Sequence, residues 1–282
     1  MKTDLTPLPP LNAAEILRAH GLRPDKGLGQ NFLQDDSALR KIVTIADVSK
    51  TDTVLEIGPG IGSLTRYLAM AAGQVIAVEL DESLIPVLRS VLKAWGNVRV
   101  IHGDITRLNP SDLIEEEDYS VVANIPYYIT SAIMRHMLES HPRPRRLVLT
   151  IQKEVAQRIC ALPGEMSLLA LSVQVFGRAE IAAAIPAEAF FPKPKVDSAV
   201  IRVDIFPEPA IPARQLDSFF RLAKAGFGQK RKTLRNSLSA GLAISTAETE
   251  ELLIAADIDP KRRAETLSVP EWGKLTSILE NR

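Results

Sequence analysis

Five short apolar runs lie between residues 53 and 151, the first four ending at a glycine, an acid or a proline turn, with helical spacing between runs. Residues 53–57 end at a glycine-rich loop, and residues 63–72 then carry apolar side chains at helical intervals. Residues 74–78 end at Glu79 before a predicted helix over 83–93, and residues 98–101 end at Gly103-Asp104. Residues 119–123 end at Asn124-Ile125-Pro126-Tyr127, a helix is predicted over 131–139, and residues 146–151 form a fifth run. Alternation of this kind predicts an α/β fold, a Rossmann-like, doubly wound and mostly parallel sheet. Two later runs, 168–176 and 199–206, also read as strands, the second as one added late or at a sheet edge.

Pro207, Pro209 and Pro212 then interrupt the pattern. Beyond them helices are predicted over 214–225, 232–242, 246–256 and 270–279, with no strand-like run among them. The expected organisation is an N-terminal extension at 1–23, an α/β domain at 24–206, a proline-rich linker at 207–213 and a small all-helical domain at 214–282. The extension, with Asp4 and several prolines and threonines in its first ten residues, carries no apolar run of signal-peptide length.

Composition narrows the classes. The 282 residues are 46% apolar and 24% charged, ordinary for a soluble globular protein. Cys160 is the single cysteine, which excludes an intramolecular disulfide and a cysteine-rich zinc site. His20, His102, His136 and His141 lack metal-ligand spacing, so no metal is expected. No stretch of 18 uninterrupted apolar residues occurs, so a cytoplasmic protein without a membrane span is expected. Nothing resembles a dimer seam, and a monomer is expected.

Charge changes the picture locally. The net charge is zero, yet no acid lies between residues 218 and 247, where Arg221, Lys224, Lys230, Arg231, Lys232 and Arg235 cluster. The balancing acids lie elsewhere, notably at 115–118. A basic face lacking acids at helical spacing can bind phosphate whatever the total charge, so these six residues are candidate RNA contacts.

The strand ends carry the chemistry. In open α/β sheets ligands bind at the carboxyl ends of the strands. Asn124-Ile125-Pro126-Tyr127 offers there an amide oxygen, a backbone carbonyl and a flat ring, a set that holds a planar amino group. Upstream, Glu56 precedes Gly58-Pro59-Gly60-Ile61-Gly62, whose glycines let the backbone pass close to a ligand. A dinucleotide fingerprint would need Gly where Ser63 stands, and an acid at position 56 would repel a pyrophosphate. Acids suit instead a cationic cofactor such as S-adenosylmethionine. Glu79, at the next strand end, is placed for ribose hydroxyls, and Asp104, at the third, for an adenine amine.

With Gly29-Gln30-Asn31-Phe32-Leu33 and Phe190-Phe191-Pro192-Lys193-Pro194-Lys195-Val196-Asp197-Ser198 these motifs closely resemble the ribosomal RNA adenine dimethyltransferase family, from about residue 24 onward. The resemblance implies a class I methyltransferase domain followed by a helical RNA-binding domain. It implies cofactor contacts at Asn31, Leu33, Gly58, Gly60, Glu79, Asp104 and Asn124. It implies an amine clamp at Asn124 and Ile125, set by Pro126, with Tyr127 stacking on the target base and Phe190 closing its other face. Within the family the pattern is most similar to members that dimethylate two adjacent adenines near the 3′ end of small-subunit (16S) rRNA in an immature 30S particle. Gly29-Gln30-Asn31-Phe32-Leu33 and Arg263-Ala264-Glu265-Thr266-Leu267 favour those members over their large-subunit relatives, which share most motifs. One departure stands at Gly164-Glu165-Met166-Ser167, where members often carry Tyr-Gly. An assembly factor that binds the RNA without catalysis, and a nicotinamide oxidoreductase, are the readings from other classes.

Overall fold

A computed structural model describes residues 5–116 and 118–281. Residues 1–4, Glu117 and Arg282 lie outside it, and with them the start of the expected extension and one acid of the 115–118 run.

Strands β1 (Phe32–Leu33), β2 (Thr53–Ile57), β3 (Gln74–Glu79), β4 (Val98–His102), β5 (Tyr119–Asn124), β6 (Arg146–Gln152), β7 (Gly177–Ile185), β8 (Phe190–Phe191) and β9 (Ser198–Ile205) form two sheets. The large one has the order β4-β3-β2-β5-β6-β9-β7, so β9, the run expected late or at an edge, is not an edge strand but lies between β6 and β7. Its neighbours from β4 to β6 run parallel, and β9 runs antiparallel to β6. Strands β2, β3, β5 and β6 are almost wholly buried, as their unbroken apolar runs require of a sheet covered on both faces. From β2 the chain moves outward to β4 and then returns to place β5 on β2's other side. The order therefore reverses between β2 and β5, and that reversal opens a crevice at their carboxyl ends.

Twelve α-helices lie among the described residues: α1 (Ala13–Ala19), α2 (Asp36–Ala46), α3 (Ser63–Ala71), α4 (Ile85–Val91), α5 (Pro110–Leu113), α6 (Thr130–Glu139), α7 (Lys153–Ile159), α8 (Leu168–Gln174), α9 (Leu216–Phe227), α10 (Leu234–Leu242), α11 (Thr246–Ala255) and α12 (Val269–Glu280). Helix α2 starts where the Asp35 carboxylate accepts from Ala38 N at 2.7 Å. Its apolar face packs with that of α3 and with Val54, Val122 and Val148 of the sheet. A second cluster joins Leu17 of α1 to Phe32, Ile61 and Val87.

The chain forms two compact units, residues 1–156 with 180–205, and residues 157–179 with 206–282. This corrects the expected boundaries twice. The segment before residue 24 belongs to the first unit: Leu8 N donates to the Tyr67 hydroxyl at 2.9 Å, and Arg66 Nη2 to Pro9 O at 2.9 Å. Residues 157–179, assigned from sequence to the α/β domain, belong to the second unit, where Phe206 N and Ala210 N donate to Phe176 O and Val175 O, each at 2.8 Å. The predicted strand at 168–176 is helix α8, capped by Ser167 Oγ accepting from Ala170 N at 3.1 Å. Short leucine- and valine-rich runs fit either element, and a cap followed by Leu and Ala favours the helix. The alanine-rich β7 was not legible as a strand.

The second unit is built on α9–α12 around Phe219, Leu222, Leu238, Leu253 and Trp272, all buried. Two capping boxes, Ser245 with Glu248 and Ser268 with Glu271, start α11 and α12. Gly164 N and Met166 N both donate to Glu265 O, at 2.8 and 3.1 Å, which ties the loop that departs from the family pattern to this unit.

Candidate active site at the carboxyl edge of the sheet

The crevice is lined by the 28–33 segment, the 56–61 loop with Ser63 and Leu64, the ends of β3 and β4, and Asn124 to Ile129. Asn124 closes β5. Its Nδ2 donates to Asn31 O at 3.0 Å. Only the NH2 end of the amide can face a carbonyl, so this bond fixes the orientation and turns Oδ1 out as an acceptor. Asn31 is itself held by its Nδ2 donating to Gly29 O at 3.0 Å. Pro126 caps a 3-10 turn over Tyr127–Ile129 that leads into α6. The Tyr127 hydroxyl lies 2.7 Å from Ser198 Oγ, which pins the ring, and burial pushes its pKa upward.

The glycine loop is held from the neighbouring strand. Gly60 N donates to Glu79 Oε2 at 2.9 Å, while Glu79 Oε1 accepts from Asp81 N at 2.9 Å. Gly60 has φ +59, and a Cβ there would meet the Phe32 ring at 3.0 Å, so the tight path needs glycine. Burial raises the pKa of Glu79, with its backbone donors pulling the other way. Glu56 is 1% exposed, and its Oε2 has no partner among the described residues. Burial, reinforced by the nearby Glu79 charge, pushes Glu56 up to about 8. Asp104 lines the cleft and also caps its own turn, Oδ1 accepting from Thr106 N at 3.0 Å and Thr106 Oγ1 at 2.7 Å. The carboxyl groups of Glu79 and Asp104 in the cleft beside the glycine loop are acceptors that suit a ligand with hydroxyls and amino groups.

Leu33, Gly58, Gly60, Glu79, Asp104, Asn31, Asn124, Ile125, Pro126 and Tyr127 thus share one cleft, as the sequence motifs suggested. Phe190 does not. It is 4% exposed within the core beside Leu33, Val148 and Val200. In the β1–β8 pair, Leu33 opposes Phe190 and Phe32 opposes Phe191, so Phe191, not Phe190, shares the face of Phe32. Gln30 was not singled out from sequence, yet it lines the cleft and bridges Asp81 Oδ2, at 2.7 Å, to Asp25 N, at 2.8 Å. Its place inside the Gly29–Leu33 motif is the signal that could have found it. Among the described residues no group of three His, Cys, Asp or Glu side chains could share a metal ion, and no helix is long and apolar enough to cross a membrane.

A family model described as ribosomal RNA adenine dimethylase matches residues 22–280. The chain belongs to that family. Curated relatives named ribosomal RNA small subunit methyltransferase A share 47% identity in Dehalococcoides mccartyi, covering 93% of this chain and 91% of the relative, and 44% in Enterococcus faecalis, covering 96% and 95%. The solved structure of the 23S rRNA methyltransferase ErmE is 28% identical with a TM-score of 0.71 over 88% of this chain and 99% of its own. A dimethyladenosine transferase from Plasmodium falciparum shares the fold, with a TM-score of 0.75 over 89% of this chain and 98% of its own, at 24% identity. As in this dimethylase family generally, the cofactor is S-adenosylmethionine, and the acidic, glycine-lined cleft fits that cationic ligand.

In the second unit of this dimethylase, Arg221 and Lys224 are exposed on α9 and line a groove with Gln229, Ser237 and Gly241. Lys230, Arg231 and Lys232 are exposed in the turn before α10. Arg235 is different. Its Nη1 pairs with Glu250 Oε2 of α11 at 2.9 Å, so the basic run does have an acidic partner, supplied by tertiary packing.

Proposed function

We propose that this chain transfers methyl groups to N6 of two adjacent adenines near the 3′ end of small-subunit (16S) rRNA, acting as a cytoplasmic monomer on an immature 30S particle. The observation that carries this reading is the Asn124 amide in the cleft lining, its Nδ2 locked on Asn31 O so that Oδ1 is left as an acceptor. Bound S-adenosylmethionine supplies an electrophilic methyl group; Asn31, Leu33, Gly58, Gly60, Glu79 and Asp104 are the residues that would hold it.

The chain's own part is to make a weak nucleophile available. The N6 lone pair of adenine is delocalised into the ring. Asn124 Oδ1 and the Ile125 carbonyl would accept the two N–H bonds, favouring a pyramidal nitrogen whose lone pair points away from the ring. Such acceptors act most strongly when fixed in advance, as the Asn124–Asn31 bond fixes this one. Tyr127, its hydroxyl anchored on Ser198, would present its ring to the extruded base. No dedicated base is required, because N6 becomes acidic as the methyl arrives. Arg221, Lys224, Lys230, Arg231 and Lys232 would contact RNA phosphates.

The test is transfer of labelled methyl to 30S and 50S subunits from cells lacking the modification, with mapping of the labelled nucleotides. Two dimethylated adenines near the 3′ end of the small-subunit RNA are expected. Label confined to the large subunit would reassign the enzyme's substrate, and no label in either would leave RNA binding without catalysis.

A further inference from the structure

With Phe190 in the core, the accessible ring on the cleft wall beyond Tyr127 is Tyr128. It is 59% exposed, a large aromatic in water. Its position is fixed. The 3-10 turn Tyr127–Ile129 carries it, Ile129 N donates to Pro126 O at 3.3 Å, and Thr130 Oγ1 donates to Tyr127 O at 3.2 Å at the start of α6. One edge of the ring rests on Gly29, where an added Cβ would stand 3.3 Å from both Cδ1 and Cε1. The ring is thus displayed from a hydrogen-bonded turn with one edge against Gly29, and its neighbour in sequence is the ring proposed to hold the target base.

We propose that Tyr128 is a substrate-contacting specificity residue that stacks on the nucleobase covalently next to the adenine clamped by Asn124. The inference rests on the function proposed above. A base drawn into the cleft drags its neighbours to the rim, because successive nucleotides are joined by one phosphodiester. The neighbour leaves its own stack and exposes a π-face, and an aromatic side chain on the rim replaces the lost stacking. The two tyrosines divide the work. Tyr127, tied by its hydroxyl to Ser198 and half-buried, serves the target base; Tyr128, with a largely open ring, serves the adjoining one. For a substrate with two adjacent target adenines, strand polarity fixes which neighbour meets the rim, so the adjoining base is the other adenine for one of the two targets and the flanking nucleotide for the other.

The test compares wild-type protein with Tyr128→Ala and Tyr128→Phe, using S-adenosylmethionine and 30S subunits from cells lacking the modification. Methyl transfer is followed as a function of subunit concentration, with calorimetric cofactor affinity and melting temperature measured on each variant. Tyr128→Ala is expected to raise KM for the subunit about 5- to 150-fold, the span of a base–aromatic stack, while kcat stays within about twofold. Tyr128→Phe, which keeps the ring, is expected to behave as wild type, and cofactor affinity is expected to stay level in both variants. An unmoved KM in Tyr128→Ala, beside normal wild-type transfer, overturns this inference alone. So does cofactor affinity falling in step with KM, or Tyr128→Phe as defective as Tyr128→Ala. Wild-type protein that labels no ribosomal RNA overturns the functional reading and this inference with it.

Discussion

Asn124 does two things through one amide. Its NH2 ties β5 to the 28–33 segment, and its oxygen is left as an acceptor on a residue that lines the cleft. Asn124→Ala removes both, with unequal effects. The lost bond costs about 1 kcal/mol of stability, whereas the lost acceptor is expected to lower kcat by about 10²- to 10³-fold. Saturating turnover and a melting curve on the same preparation separate the two; near-normal turnover would remove the amine clamp. Glu56 makes a second residue-scale prediction. Its pKa is raised from the ordinary 4.5 to about 8, so across that window the folded, cofactor-free protein keeps a proton that the unfolded chain has released. Stability from this group is therefore complete below about 4.5 and is lost as pH rises through about 8. Glu56→Gln keeps the shape without the titration. Its melting temperature, relative to wild type, is expected to be higher at pH 8 than at pH 6, and an unchanged difference would show that Glu56 does not titrate in this range.

At the scale of elements, helices α9 and α10 approach so closely that a side chain on Gly241 has nowhere to go. An added Cβ would stand 2.5 Å from the Ala225 Cβ and 2.7 Å from its Cα. Gly241→Ala is expected to force the helices apart and cost about 1–3 kcal/mol, seen as a lower denaturant midpoint. The glycine loop lies in the other compact unit, so cofactor affinity of this variant under native conditions is expected to match wild type. A midpoint equal to wild type would mean that the two helices accommodate the methyl. The strand-to-turn junctions were legible in the sequence because glycine, proline and buried acids punctuate them. Helix α8 was not, because its few apolar residues fit either period and its role depends on which unit it joins.

For the whole molecule, a net charge of zero hides a local field. The exposed cations Lys230, Arg231 and Lys232 sit together without an acid between them, so counterion release there can drive RNA association. Replacing all three with Glu is expected to weaken binding to 30S subunits and to lower the slope of log affinity against log salt by about 2. An unchanged slope would put the phosphate contacts on another surface. Arg235, held by Glu250, is expected to matter more for packing α10 against α11 than for RNA.

Taken alone, the sequence determined the alternating strands and helices, the order in which acids and glycines arrive at the strand ends, the Asn124 turn and the helical stretch after residue 213. These are local signals, each written in a few consecutive residues. The tertiary structure decided what depends on residues far apart in the chain. Pairing of β1 with β8 sets Phe32 against Phe191 and Leu33 against Phe190, whose ring lies in the core, a register that no spacing within the motif reveals. Glu250 reaches Arg235 across two helices, and residues 157–179 join the helical unit through carbonyls that accept from Phe206 and Ala210. Tyr128 is legible as a tyrosine after a proline turn; that its ring stands open on the cleft wall follows only from how the 28–33 segment folds beside it.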